Sequence, residues 1–517
     1  MPKKFLKNIE PREYQQKIYD TCLRNNCLVV LPTGLGKTLI ALMLTIKRME
    51  EFPGEKVVFL APTKPLAEQH LTSFKKHLPE LFADFQLFTG KVKAEERKKN
   101  WKTADIIFST PQCIANDLKN RIYDLEEVCL LIEDEAHRCL KNYDYNYVAQ
   151  QYQKQSKHQR ILGLTASPGS EKSKIKEICK NLSIREVELR TRDSIDVKQY
   201  LQELEFKRVN IELPKEFEEI QYTLKKILNK YIEELRLRKV LFGPSSKTGL
   251  IALQKKIMGS LARGNRNFNY MLGVSACAQA IKIQHALELL ETQTLSSFNK
   301  YLKNLLNQAK NRQSKGVVKL VAKPEFNFIY SKSNELLIKN IEHPKLEELE
   351  KIIKQEKLKN DKLKIIVFTQ FRDTATIISK KLNKIKEINS KIFIGQTKKA
   401  DIGLSQKEQK KILDEFRLGK INVLCATSIG EEGLDIPEVS IVIFYEAIPS
   451  AIRTIQRAGR TARLKKGKLI MLITKKTRDE NFFYVSKIRE KKMHSAIDSI
   501  KKELSNENNL EHQEKLR

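Results

Sequence analysis

Lys37 and Thr38 close the run LPTGLGKT (31–38), whose residue types suit the holding of phosphate. Gly34 and Gly36 permit a tight loop whose N–H groups point at phosphate oxygens. Lys37 can reach the outer phosphates, and the Thr38 hydroxyl can ligate Mg2+. The pattern G-x-x-x-x-G-K-[ST] has its first glycine where Leu31 stands. The strand CLVVL (27–31) ends at Leu31, where a side chain can be buried, so the missing glycine need not matter. Further along, VCLLIEDEAH ends a strand in Asp134 and Glu135. Hydrolysis of Mg·ATP needs one carboxylate on the metal, suited to Asp134, and one to orient and deprotonate water, suited to Glu135. In QRAGRTAR (456–463), Arg460 and Arg463 fall three apart on one helix face, able to reach a γ-phosphate held elsewhere in the chain.

Two regions share the rhythm needed to position these groups. CLVVL, KVVFLAP (56–62), ADIIFSTP (104–111), VCLLIEDE (128–135) and RILGLTAS (160–167) form one series of β-branched runs. KIIVFTQ (364–370), KIFIG (391–395), INVLCATS (421–428), VSIVIFYE (439–446) and KLIMLIT (468–474) form another. Runs apolar on both faces, separated by helix-length segments, predict parallel strands covered by helices. The expected fold is α/β, with doubly wound parallel sheets at 1–200 and 346–490. A helical insert is expected at 201–345 and a C-terminal helix with a polar tail at 491–517. In the insert, Ile220, Leu224, Ile227, Tyr231 and Leu235 recur at helical spacing.

The 517 residues carry 96 Lys+Arg against 63 Asp+Glu, a formal +33 that makes polyanions natural partners. Within 241–320 the imbalance is 12 Lys/Arg to 2 Asp/Glu, which suggests an arm laid on a phosphate backbone through Lys255, Lys256, Arg263 and Arg266. The eight cysteines form no C-x-x-C pair and read as small buried residues of a reduced, intracellular protein. No run approaches ~18 apolar residues and the N-terminus lacks a signal-peptide core, so a soluble, intracellular protein without a membrane span is expected.

Asp134-Glu135-Ala136-His137 resembles motif II of superfamily 2 helicases, and the other motifs follow in order. PREYQ (11–15) resembles the Q motif, where the Gln15 amide would read the adenine edge beside Arg12. The resemblance places Pro32, Thr33, Gly34, Leu35, Gly36, Lys37 and Thr38 around ATP. APTKPLAEQH (61–70), TG (89–90) and STPQ (109–112) are similar to strand-tracking motifs, implying nucleic-acid contacts at Thr63, Thr89, Gly90 and Thr110. TAS (165–167) resembles motif III. VFTQFRDTA (367–375) is similar to motif IV, with Gln370 on the nucleic acid. ATSIGEEGLDIPEVS (426–440) resembles motif V, with Thr427 on phosphate and Gly433 and Asp435 on ATP. QRAGRTAR resembles motif VI, adding Gln456 to the catalytic set.

WKTADIIFSTPQ (101–112), LTASPGS (164–170), DEFRLGKINVLCATSIGEEGLDIPEVS (414–440) and KKTRDENFFYVSKIREKKM (475–493) resemble the archaeal Hef and Fanconi anaemia M-type subfamily. That resemblance implies two RecA-like domains, ATP and Mg2+ as cofactors, and a monomeric ATP-driven DNA helicase or translocase on forked and branched DNA. ERK (96–98) lacks the preceding Gly-Asp of a nuclease motif, so nuclease activity is not expected, and a separately encoded nuclease or a sliding clamp is a candidate partner. Two alternatives stay open: a double-stranded RNA-dependent ATPase of the Dicer and RIG-I type, which shares the insert, and an ATP-switched platform that recruits a nuclease. Trp101 is expected to pack at a helix–strand junction and His137 to couple the two domains. Tyr222 and Tyr231 are expected in the core of the insert.

Overall fold

The computed structural model describes residues 5–264, 267–360, 362–395, 403–427, 436–459, 461 and 466–515, with side chains up to 506. The first sheet holds seven parallel strands: β1 (Cys27–Val30), β2 (Lys56–Leu60), β3 (Phe85–Phe88), β4 (Ile106–Ser109), β5 (Val128–Asp134), β6 (Ile161–Thr165) and β7 (Glu186–Leu189), in the order β3-β4-β2-β5-β6-β1-β7. The second holds β8 (Leu204–Ile211), β9 (Ile365–Phe368), β10 (Ser390–Phe393), β11 (Val423–Ala426), β12 (Ile441–Phe444) and β13 (Gly467–Thr474), in the order β10-β11-β9-β12-β13-β8. Every residue of β1, β2, β4, β5, β6, β9, β11 and β12 is buried, as runs apolar on both faces require.

Three strands lie outside the two series read from the sequence. β3 and β7 are half-buried and short, and β8 (LEFKRVNI) is largely solvent-facing. Partly exposed strands mix polar residues into the run and weaken its apolar signal. β8 also corrects the domain boundary. The sequence reading assigned residues from 201 onward to the helical insert, whereas Leu204–Ile211 pairs residue for residue with Gly467–Thr474 of the second sheet.

The insert begins at the helix Lys215–Leu237 and continues through helices to Pro324–Ile338. Ile220, Leu224, Ile227, Tyr231 and Leu235 are all buried in its core, and the Tyr231 hydroxyl meets Gln279. Tyr222 is not a core residue: it is 71% exposed, because it lies between Ile220 and Leu224 and points off their stripe. Trp101 packs from the helix Ala94–Thr103, stacked 3.9 Å from Tyr123 and 6.3 Å from the Phe88 ring of β3.

The insert is bolted to the second sheet by a buried cluster. The Lys345 ammonium pairs with Asp479 and donates to the Tyr445 carbonyl at 2.8 Å and the Thr292 carbonyl at 3.4 Å. The C-terminal helix Arg478–Lys515 leaves the second sheet and returns to the first, burying Met493, Ala496, Ile497 and Ile500 in the first core. All eight cysteines are buried and free. Among the described residues, no helix is long and apolar enough to cross a membrane.

Candidate nucleotide-hydrolysis site and nucleic-acid face

The strand order sets β5 and β1 on either side of β6, so their carboxyl ends bring motif II, Thr165 and the phosphate loop together. Leu31 is fully buried and its N–H donates to the Thr165 carbonyl, so the strand continues through the position where a glycine is usual. Gly34 and Gly36 both have positive φ, 86° and 81°. A Cβ on Gly36 would also overlap the Gln15 amide. The helix Lys37–Glu51 that follows has neither a side-chain cap nor an acidic residue in its first turn. Its terminal N–H groups and positive dipole end therefore suit an anion, and the loop fits a nucleotide phosphate. Lys37 Nζ donates to the Leu31 carbonyl at 2.8 Å, and Thr38 starts the helix beside it.

Gln15 lies against the phosphate loop. Its amide donates to the Leu35 carbonyl at 3.0 Å and accepts from the Arg12 N–H at 2.9 Å, while Tyr14 donates to the same Leu35 carbonyl at 2.8 Å. The amide expected to read adenine thus also buttresses the phosphate loop. Arg12 lies over the Tyr200 ring, 5.1 Å from its centroid.

Asp134 is buried, with His70 Nε2 2.8 Å from its Oδ2. Burial pushes the Asp134 carboxyl up. The hydrogen bond and charge of His70, the Lys37 ammonium and the Glu135 backbone N–H outweigh that and hold it below the usual carboxylate range. Tyr145 fixes the same turn by donating to the Asp134 carbonyl at 2.6 Å. An ionised carboxylate within the field of Lys37 is a chemically fitting Mg2+ ligand. Glu135 is held at φ 54°, a left-handed conformation rare for this residue type and a mark of local strain at a reactive turn. His137 Nδ1 lies 3.2 Å from Glu135 Oε2 and 3.2 Å from Thr165 Oγ1. These contacts join motifs II and III within the first domain, whereas the sequence reading gave His137 to coupling between domains.

Among the buried acids that the sequence reading did not single out, Glu133 and Glu446 lie at strand ends. Glu133, beside the catalytic pair, is pushed up to about 8 by burial, partly opposed by a hydrogen bond from the Cys139 thiol at 2.9 Å. Glu446, at the end of β12, accepts from the Gln370 N–H. Burial, reinforced by Asp479, pushes Glu446 up to about 7 against the pull of Arg457, Lys345 and the Gln370 N–H. The Arg457 guanidinium is buried 4.8 Å from the Phe368 ring centroid. His70 left no signal beyond its place at the end of APTKPLAEQH, and Glu133 none beyond being a third acid in the run.

Motif VI approaches the phosphate loop directly: a Cβ on Gly459 would overlap the Thr33 hydroxyl. Gln456 is buried on the same helix, Ala451–Ala458. Arg460, Arg463, Gly433 and Asp435 lie outside the described residues, as does Arg266 of the insert. Beside the Gly459 contact, a cavity of about 680 Å3 includes Pro32, Ala166, Ile455 and Met493 in its wall.

The nucleic-acid residues fall at strand ends. Thr63 follows β2 and Thr110 follows β4, each partly exposed ahead of a helix, while buried Thr89 and exposed Gly90 follow β3. In the second sheet, Gln370 lies beyond β9 and buried Thr427 directly follows β11. Lys255, Lys256 and Arg263 are exposed on the insert, apart from either sheet.

The DEAD/DEAH box helicase model matches residues 12–175 and the helicase conserved C-terminal domain matches 344–465. A helical-bundle model of an ATP-dependent RNA helicase matches 216–340. The crystal structure of the Pyrococcus furiosus Hef helicase domain superposes with a TM-score of 0.70 at 42% identity, covering 92% of this chain and 98% of that one. "Putative ATP-dependent RNA helicase MJ1505" of Methanocaldococcus jannaschii is 37% identical over 96% of this chain and 61% of its own length. ATP-dependent DNA helicase fml1 of Schizosaccharomyces pombe is 34% identical over 90% of this chain and 57% of its own. This chain therefore spans about three fifths of those curated relatives. With helicase motifs in order on two parallel sheets, the insert between them and a Hef domain matched almost end to end, the chain belongs to the Hef and Fanconi anaemia M-type family of superfamily 2 helicases.

Proposed function

We propose that the chain is an ATP-driven DNA helicase or translocase acting on forked and branched DNA in repair. The observation that carries the motor reading is the seating of Gly459 of motif VI against Thr33 of the phosphate loop, across two separate sheets. Lys37 and the N–H groups of its helix would hold the phosphates, and Thr38 and Asp134 would hold Mg2+. Glu135 would orient water and take its proton. Bound Mg2+ would neutralise the charge that develops on the phosphates. Arg460 and Arg463 would reach the nucleotide from the second domain, so closure assembles the site and its release moves one domain along the strand. A separately encoded nuclease or a sliding clamp fits as a partner, and a cytoplasmic, nucleoid-associated place of action follows from the substrate.

A second reading, double-stranded RNA as the track, is favoured by the RNA helicase names of the M. jannaschii relative and the helical-bundle model. The test is the steady-state ATPase rate at one salt concentration with forked DNA, single-stranded DNA, linear duplex DNA and double-stranded RNA. Forked DNA is expected to stimulate most. Strongest stimulation by double-stranded RNA would overturn the substrate while leaving the motor standing.

A further inference from the structure

Arg97, in the run ERK (96–98), is a buried cation that the hydrolysis site does not use. It points inward from the helix Ala94–Thr103 and is 8% exposed, while Glu96 and Lys98 on either side stand in solvent. Each nitrogen of its guanidinium donates. Nε, 2.7 Å from Oδ2, and Nη2 form a fork on the Asp117 carboxylate, and Nη1 donates to the Val92 carbonyl. Asp117 is 1% exposed and also accepts from the Tyr123 hydroxyl at 2.8 Å. A buried ion pair adds little net stability, because removing both charges from water offsets their attraction. What the fork supplies is direction. Two parallel bonds fix the guanidinium plane, so the remaining N–H is aimed at one backbone oxygen.

The groups joined in this way belong to two loops at one end of the first sheet. β3 and β4 pair in parallel with Phe88 beside Ser109, and Ser109 Oγ donates to the Phe88 carbonyl at 2.9 Å. From that shared rung the chain leaves β3 into Thr89 and Gly90, and leaves β4 into Thr110. The Val92 N–H closes the first loop on the Thr89 carbonyl at 3.0 Å, and the Val92 carbonyl is the one that Arg97 holds. The second loop runs into the helix Pro111–Lys119, which carries Asp117. One guanidinium therefore locks the turn after β3 to the helix after β4. Gly90, Lys91 and Lys93 are exposed on the first loop, and Thr110 is partly exposed on the second. Donors on two loops bind one strand most tightly when their separation is fixed beforehand, because no ordering is then left to the binding step.

We propose that Arg97 and Asp117 are a positioning pair that sets the separation of the Thr89–Gly90 and Thr110 loops, so that both engage one nucleic-acid strand together. The inference rests on the DNA-motor reading above and adds what keeps its grip in register. It is tested on the full chain with fluorescein-labelled oligothymidine, by anisotropy and by ATPase rate over a series of oligonucleotide concentrations. Arg97→Lys keeps the charge and loses the fork. It should raise the dissociation constant and the half-saturating DNA concentration about tenfold, the effect of losing one hydrogen bond to a charged group. Turnover at saturating DNA and the KM for ATP should stay as in wild type, because the phosphate loop leaves β1, on the other side of the sheet. Arg97→Met combined with Asp117→Leu puts apolar side chains in place of the ion pair and should keep the wild-type melting temperature. It should nevertheless bind DNA as weakly as Arg97→Lys. Either variant binding DNA as wild type does overturns the inference. So does a KM for ATP that rises as much as DNA affinity falls, the mark of a domain loosened throughout. A wild-type chain whose ATPase does not respond to single-stranded DNA overturns the motor reading, and this inference with it.

Discussion

His70 and Lys37 keep Asp134 ionised in a place where burial by itself would favour the protonated acid. With Asp134 in its proposed role as a Mg2+ ligand, removing the histidine should weaken metal holding while leaving Asp134 and Thr38 in place. His70→Ala is expected to lower DNA-stimulated ATPase turnover about 10- to 100-fold, the usual cost of losing a partner that orients a metal ligand. A titration of rate against Mg2+ should show the requirement moved to higher concentration. Glu133 behaves in the opposite sense. Its carboxyl is raised from 4.5 to about 8, so its contribution to stability is fully present below 4.5 and is lost as pH rises through about 8. Glu133→Gln keeps an acceptor for the Cys139 thiol and cannot ionise. Its melting temperature should exceed that of wild type at pH 9 and match it at pH 4.5, and an unchanged difference between the two would refute the assignment.

At the scale of elements, the Arg478–Lys515 helix begins on the second sheet and spends its buried residues on the first. Ile497 is fully buried there, Lys172 and Lys176 both pair with Glu503, and Ser167 of motif III donates to the Met493 sulfur at 2.8 Å. Ile497→Ala should destabilise the docked helix by about 2–5 kcal/mol, the range for a buried Ile cut to Ala. Limited proteolysis near residue 490 should be faster in that variant. In the insert, Lys255, Lys256 and Arg263 carry charge away from both sheets, and Arg266 follows them in the sequence. Replacing all four with Ala should reduce the slope of log binding constant against log salt on duplex DNA by roughly 0.9 for each phosphate that they neutralise. An unchanged slope would mean that those side chains do not face phosphate.

The whole molecule is held by contacts that join distant parts of the chain. Lys345 and Asp479 are fully buried and tie the end of the insert to the start of the C-terminal helix. Lys345→Met leaves the Asp479 carboxylate without its countercharge and should cost about 3–5 kcal/mol, measured by denaturant unfolding. Adding Asp479→Asn should restore much of that loss, because an unpaired buried charge is the larger part of the penalty. The seating of Gly459 against Thr33 works at the same scale. Any larger side chain at 459 would meet the Thr33 hydroxyl and oppose that seating.

The sequence by itself determined both sheets and most of the chemistry. A fully buried parallel strand must be apolar on both faces, and a phosphate loop needs its Gly-Lys-Thr in direct succession, so both leave local signatures. LPTGLGKT, the Asp134–Glu135 pair and ten of the thirteen strands among the described residues were legible for that reason. What local signatures could not carry were contacts between residues far apart in the chain. His70 meets Asp134 across 64 residues, and Gly459 meets Thr33 from the far end of the second domain. β8 joins a sheet whose other strands begin at Ile365. The commitment of Gln15 to Leu35, the exposure of Tyr222 and the pairing of Lys345 with Asp479 belong to the same class. Each depends on which elements pack together, and that was decided by the tertiary structure alone.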